Sequence, residues 1–417
     1  MAKLSVRDLE VAGKRVFVRV DYNVPMEEKN GTMVINDITR IRETLPTLQL
    51  LIDKGAKVIL AAHLGRPDGK REPTLSLKPV AEKLSELLGK PVAFANDCVG
   101  EAAEAAAAAL PDGGVLLLEN VRFHAEEEDN DPVFAARLAR LADVYVNDAF
   151  GAAHRAHAST SGIGRILQAW GRPSAAGLLM ERELKFLGDE LDHPARPFVV
   201  ILGGAKVSDK IKVIDRLLDK ADTVLIGGAM AYTFKLAHGG KTGKSLIEKD
   251  HTGTALAAEA KAKSRKVDFH LPSDTVIATP VDTGKVNKKG RPVYDLQNPR
   301  VVSGDIPDDS EGFDIGPETA KAYASIIAGA KTVLWNGPMG MFEDARFAEG
   351  TNAVAKALAE ATTKQGAKTI IGGGDSVKAV NKAGLDSQMT FMSTGGGASL
   401  EFLEGVPLPG LSALDNK

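Results

Sequence analysis

Short apolar runs recur along the chain, and most are followed at once by glycine or by polar turn residues. Val115–Leu118 and Phe198–Leu202 are wholly apolar, the pattern of a strand buried on both faces. Arg15–Val20, Lys57–Ala62 and Asp143–Val146 read as strands that admit a polar residue. Between them lie stretches of helical period: Ile38–Lys54 ending at Gly55, Ser76–Leu88 ending at Gly89, Glu101–Leu110 stopped by Pro111, and Pro132–Leu141. Strands alternating with helices predict a parallel, doubly wound α/β sheet. Leu178–Leu191 has the spacing of one amphipathic helix, ended by Pro194 and Pro197. The pattern then restarts, with strands expected at Phe198–Leu202, Thr223–Ile226, Thr275–Thr279, Thr332–Trp335 and Thr369–Ile371. Lys285–Asp309 is polar and rich in Pro and Gly, with Lys288-Lys289-Gly290 inside it, and predicts a surface excursion.

The chain thus reads as two doubly wound parallel-sheet domains, Rossmann-like in plan, joined by a hinge helix. The expected boundaries are 1–177, a hinge helix and linker at 178–197, and 198–404. A length of 417 residues agrees, being too great for one core. A net charge of −3 with 26% charged residues gives no bulk attraction to nucleic acid or anionic membrane. Cys98 is the only cysteine, which excludes an internal disulfide and a thiolate metal cluster and fits a reducing compartment. No apolar run approaches membrane-spanning length, and Met1–Val20 has no signal-peptide core. A cytoplasmic protein is expected.

In open parallel sheets ligands bind beyond the carboxyl ends of the strands. In the first half that edge collects Asp21-Tyr22-Asn23, His63-Leu64-Gly65-Arg66, Arg122 and His154-Arg155-Ala156-His157, with Arg40 at the start of the first helix. Four arginines gathered in a half of near-neutral charge favour a small anion, because the guanidinium fork grips phosphate or carboxylate oxygens in pairs. Two histidines three apart without carboxylate or thiolate partners are a weak metal signal, so an anion role is preferred for the His154–His157 loop. In the second half the same edge is glycine-rich: Gly203-Gly204, Gly227-Gly228, Asn336-Gly337-Pro338, Gly372-Gly373-Gly374-Asp375-Ser376 and Gly395-Gly396-Gly397. Such loops suit a flat ligand with a phosphate tail, where backbone must approach closely. Lys206 and Lys210 stand beside the first pair, with Ser208 as the expected N-cap of the helix that follows. His238–Ser245 imitates a Walker A loop but carries histidine where the first glycine is required. A dinucleotide fingerprint fails as well, for want of its third glycine.

Taken together, these segments resemble the phosphoglycerate kinase family. The resemblance runs through Arg19–Pro25, His63–Pro67, Glu119–His124, Asn147–Gly151, His154–His157, Leu202–Val207, Trp335–Pro338, Gly372–Asp375 and Ser393–Leu400, in order, across nearly the whole chain. Departures are small: Tyr22, Ala152 and the longer excursion at Lys285–Asp309.

The resemblance implies a monomeric, two-domain glycolytic kinase. It would move a phosphoryl group reversibly between 1,3-bisphosphoglycerate and ADP, giving 3-phosphoglycerate and ATP, with Mg²⁺ and hinge closure, and without a nucleic-acid or membrane partner. It implies that Asp21, Asn23, Gly65, His63, Arg66, Arg122 and Arg155 hold the glycerate and its non-transferred phosphate. Gly227, Gly228, Gly312, Pro338 and Glu343 would take the nucleoside. Lys206, Lys210, Asn336, Gly373, Gly374, Asp375 and Ser376 would surround its phosphates, with Asp375 on the metal. Arg40, Lys206, Gly374 and Gly396 would neutralise the group in flight. A C-terminal segment, 405–417, would return to the first domain. The chemistry is compatible: a carboxylate attacking ATP needs no general base, so positioning and charge neutralisation suffice. A dehydrogenase, or a hinge-bending binding protein without catalysis, would share the two-lobed plan. The missing fingerprint and the missing export signal count against them.

Overall fold

The computed structural model describes residues 2–287 and 290–417, so Lys288 and Lys289 of the expected excursion lie outside the described residues. The chain divides into two compact units. One holds the chain up to Lys185 together with Gly397–Phe402 and Val406–Lys417; the other holds Phe186–Gly396 and Leu403–Gly405.

The first unit is built on six parallel strands in the spatial order Val92–Ala95, Val115–Leu118, Lys57–Ala61, Arg15–Val20, Val144–Asp148, Ser174–Ala176. The central strands are buried along almost their whole length, which is why they read as apolar runs rather than alternating ones. Helices Thr39–Asp53 and Lys78–Leu88 flank the sheet, and the latter stops at Gly89 in the left-handed conformation (φ +63°). Register fixes the business edge: Arg19 stands level with both Ala61 and Asn147, so the loops after these strands emerge side by side. The chain's end closes this unit. Asp415 accepts from the Ser174 amide at 2.9 Å and from Gln168 Nε2 at 2.8 Å, and the Gly410 amide donates to Ala153 O at 2.8 Å.

Leu178–Leu191 is less regular than its spacing predicts. It is an α-helix over Leu178–Leu184, a wide π-type turn over Lys185–Asp189 and a last turn at Glu190–Asp192. Asp148, at the end of its strand, holds the helix start by accepting from the amides of Leu179 (2.9 Å) and Met180 (3.2 Å). Burial pushes its carboxyl up to about 6 despite those bonds.

The second unit repeats the plan, with parallel strands ordered Asp268–His270, Thr223–Ile226, Phe198–Leu202, Thr332–Asn336, Lys368–Gly372, Phe391–Met392. Two expectations need correction, and a third, the surface excursion, holds but proves to be strand. Thr275–Thr279 does not join this sheet; it is part of the long strand Asp274–Val286, paired antiparallel with Pro292–Ser303 and Glu311–Ile315. The expected surface excursion is largely the far half of that hairpin, which is exposed on both faces and so carries no alternation. Ser208 is not a helix cap. The helix is Ile211–Leu217 with Lys210 at its N-cap, and Ser208 instead donates through N and Oγ to Glu248 at 3.0 and 2.6 Å.

Asp314 is the least comfortable group in this unit. It is 1% exposed and accepts from the amides of Gly350 (2.7 Å) and Ile315 (2.9 Å). Gly340 and Gly350 leave it room, since a Cβ on either would lie 2.2 or 2.4 Å from Asp314 Oδ1. Burial raises its carboxyl from 3.8 to about 7. The folded state therefore binds the proton that the unfolded chain releases, and stability falls as pH rises between these values. Asp314→Asn should shrink the drop in urea-unfolding midpoint between pH 5 and pH 8. An undiminished drop would mean that Asp314 ionises normally.

Candidate active site

In the first unit, strand ends are lashed together by side chains before any ligand arrives. Asn23 Oδ1 accepts from the Gly65 amide (3.0 Å), joining the first two loops. Asn120 Oδ1 accepts from the amides of Leu64 (3.2 Å) and Arg122 (3.1 Å), while its Nδ2 donates to Leu64 O (2.7 Å). Glu119 accepts from Ser76 Oγ (2.7 Å) and the Leu77 amide (2.9 Å). The Glu119-Asn120 pair is thus scaffolding for the arginine that follows. Gly65 is left-handed (φ +65°), and its carbonyl accepts from Arg122 Nη1 at 2.9 Å.

The cations so placed are crowded. Arg40, in the first turn of its helix, donates to Asp21 Oδ2 at 2.6 Å. Arg122 is 4% exposed; its Nε lies 3.2 Å from Glu128 Oε1 but off the hydrogen-bond direction, and is left as a buried donor without an acceptor. Arg155 donates from Nε to His154 Nε2 at 3.2 Å, and Arg66 is exposed on its loop with no partner among the described residues. His63 is 7% exposed; burial, then Arg19, Arg122 and Arg40, hold its pKa well below the ordinary value. Burial, then Arg122, Arg19 and Arg155, lower His157 to about 4. The structure therefore brings Arg40, His63, Arg122 and Arg155 into one field with His157 of the expected anion loop, and adds Arg19 and the buried Glu127, which the sequence reading did not select.

The second unit builds its edge from backbone. The Gly203 amide donates to Asn336 O (3.0 Å), the Gly204 amide to Pro338 O (3.1 Å), and the Gly228 amide to Met339 O (2.8 Å). A Cβ on Gly203 would sit 2.0 Å from Pro338 O, and one on Gly228 would sit 2.5 Å from Gly204 N. Gly227 abuts Met339 Sδ and Gly312 abuts the Tyr232 ring, each at 2.4 Å from the missing Cβ. These glycines are needed for packing. Gly374 and Gly396 differ, because their Cβ positions are open. Gly374 opens the helix Gly374–Lys382, with Gly373 (φ +84°) as its cap, so free amides face outward there.

Polar groups at this edge are few. Lys210 donates to Asn336 Oδ1, and burial lowers its pKa. Asn336 is 1% exposed, and its Nδ2 has no acceptor. Ser376 Oγ is engaged with the Gly337 amide at 2.6 Å. Lys206 and Glu343 are exposed, and Asp375 pairs with Lys378 at 2.9 Å in an exposed contact. A hard carboxylate at a helix start fits Mg²⁺, which takes one or two protein carboxylates beside phosphates and water. The exposed lysine is a weak competitor. Elsewhere, donor atoms of Asp97, Cys98 and His124 lie within 4.8 Å of one another. Asp97 is already taken up by His124 (2.7 Å) and the Cys98 amide (2.7 Å), and burial keeps the thiol protonated.

The model of the family described as phosphoglycerate kinase matches residues 6–406. The chain belongs to the phosphoglycerate kinase family. It is 54% identical to the phosphoglycerate kinase of Moorella thermoacetica over the full length of both. It is 53% identical to "Phosphoglycerate kinase, cytosolic" of Triticum aestivum, covering 98% of this chain and 97% of that one. The solved phosphoglycerate kinase of Coxiella burnetii superimposes with a TM-score of 0.84 at 40% identity, covering 99% and 98% of the two chains. Family membership makes the chain a phosphotransferase with a carboxyl acceptor, acting in glycolysis and gluconeogenesis.

The two kinds of glycine separate in a simple test. Gly203→Ala forces two backbones apart and should lower both thermal stability and ADP affinity. Gly374→Ala should leave the melting temperature unchanged and still weaken ADP, because its methyl fills only ligand space. Full ADP affinity in Gly374→Ala would take that amide out of the nucleotide site.

Proposed function

We propose that the two strand edges divide one reaction between them, transferring phosphate reversibly between 1,3-bisphosphoglycerate and ADP to give 3-phosphoglycerate and ATP. The observation that supports this most is the pair of unsatisfied buried donors, Arg122 Nε and Asn336 Nδ2. A buried donor without an acceptor costs roughly 1–3 kcal/mol, and a phosphate oxygen repays it.

On this reading the first unit takes the glycerate. Asp21 and Asn23 meet its hydroxyl and carboxylate end, and His63, Gly65, Arg66, Arg122 and Arg155 hold the phosphate that stays. The second unit takes the nucleotide. Gly227, Gly228, Gly312 and Pro338 line the base, Glu343 bonds the ribose, and Lys206, Lys210, Asn336 and the amides at Gly373, Gly374 and Ser376 hold phosphates. Asp375 is the residue that would hold Mg²⁺, whose charge offsets that of the nucleotide phosphates. Arg40, Lys206, Gly374 and Gly396 neutralise the equatorial oxygens of the group in flight. Closure about the Leu178–Pro197 segment supplies in-line contact between the two ligands and excludes water. Each site draws on its own unit's residues, which supports action as a monomer. Among the described residues no helix is long and apolar enough to cross a membrane. Together with the named cytosolic relative, that supports work in the cytoplasm.

A crossed pair of variants tests the division. Lys206→Ala should cut turnover by a hundredfold or more, about 3 kcal/mol of transition-state stabilisation, while calorimetric affinity for 3-phosphoglycerate stays unchanged. Arg155→Ala should weaken 3-phosphoglycerate and leave ADP affinity alone. Loss of ADP affinity in Arg155→Ala, or undiminished turnover in Lys206→Ala, would reject the assignment.

A further inference from the structure

Arg19 is a charged residue inside a buried strand, 1% exposed. Three groups receive its guanidinium. Nε donates to Ser159 Oγ at 2.7 Å, Nη1 to Val20 O, and Nη2 lies 3.1 Å from His63 Nδ1. Ser159 passes the contact on, donating Oγ–H to Glu127 Oε1 (2.6 Å) and N–H to Glu127 Oε2 (2.8 Å). Glu127 is wholly buried.

The direction of each bond is forced. A guanidinium has five donors and no acceptor. His63 Nδ1 must therefore offer a lone pair to Nη2, which leaves the ring proton on Nε2. Ser159 has one O–H, spent on Glu127, so its lone pair is free to accept from Arg19. Both Glu127 oxygens accept, as an ionised carboxylate does. His63 faces Arg19, Arg122, Arg40 and His157, and a second ring proton in that company is unfavourable. Nε2 has no partner among the described residues.

We propose that Glu127, Ser159 and Arg19 form a positioning relay that fixes His63 as a neutral Nε2–H donor, so that His63 meets the substrate's non-transferred phosphate with a hydrogen bond rather than a charge. This rests on the reading that His63 faces that phosphate. Without the relay the imidazole can place its proton on Nδ1 and turn a lone pair toward the anion. The relay also accounts for a carboxylate buried among cations: Glu127 offsets Arg19, which then orients His63 without itself reaching the ligand.

Long-range ¹H–¹⁵N spectra of the full-length chain labelled at histidine test the proposal, with His63 assigned by its loss in His63→Asn. At pH 7 the wild type should show one tautomer, protonated at Nε2. Adding 3-phosphoglycerate should move the Nε2 signal without changing the tautomer. Ser159→Ala and Arg19→Lys should each move both ring nitrogens toward a tautomer mixture. Each should raise KM for 3-phosphoglycerate roughly tenfold, the loss of one hydrogen bond to a charged group, with KM for ADP unchanged. A proton on Nδ1, a doubly protonated ring, or an unaltered tautomer in both variants overturns the relay. A fixed tautomer whose signals ignore 3-phosphoglycerate leaves the relay standing and overturns the placement of the phosphate.

Discussion

Repulsion between like charges is the constraint on which the first unit depends. Arg19, Arg40, Arg122 and Arg155 share one sheet edge with two histidines, and unit charges about 4 Å apart in a medium of effective dielectric near 20 repel by about 4 kcal/mol. Nothing in a bare loop would hold them there. The parallel register sets the strand ends level, Asn23 and Asn120 tie the loops to each other, and Asp21, Glu127 and Glu128 offset part of the charge. On the proposed reading, the remainder is left for a ligand anion. This is preorganisation in the useful sense, since the groups need not gather when substrate binds.

On the same reading, the second unit meets a similar ligand group with a different material. Its edge has few charges and many close backbone contacts, with Gly203, Gly227, Gly228 and Gly337 packed where no Cβ fits. Backbone amides neither repel one another strongly nor need counter-ions. They suit a nucleotide whose charge travels with its own metal. On the proposed division, fixed cations serve the small, highly charged glycerate phosphate, and free amides with two lysines serve the nucleotide.

Much of this was legible in the sequence because burial on both faces leaves unbroken apolar runs. Val115–Leu118, Phe198–Leu202 and Thr223–Ile226 fall where the pattern puts them. The edge strands Val92–Ala95, Ser174–Ala176, Asp268–His270 and Phe391–Met392 were not legible, being two to four residues long and mostly mixed in burial. Ser208 looked like a cap because a capping serine and one that donates to a distant carboxylate look alike in sequence; only Glu248, forty positions on, decides between them. Arg19 and Glu127 were missed for a related reason. Glu127 lies in the run Glu126-Glu127-Glu128, which reads as a solvated acidic turn, and only tertiary packing buries the middle one. Arg19 did leave a signal: a lone arginine within Val16-Phe17-Val18-Arg19-Val20 implies a buried partner for it.

The central claim is direct passage of the phosphoryl group between two ligands, with protein groups that position and neutralise but never bond to phosphorus. The stereochemical course decides it. ATP made chiral at the γ-phosphorus with three oxygen isotopes, turned over with 3-phosphoglycerate, should give 1,3-bisphosphoglycerate inverted at phosphorus, the mark of a single in-line displacement. Retention would require two displacements through a covalent phospho-residue and would contradict the account.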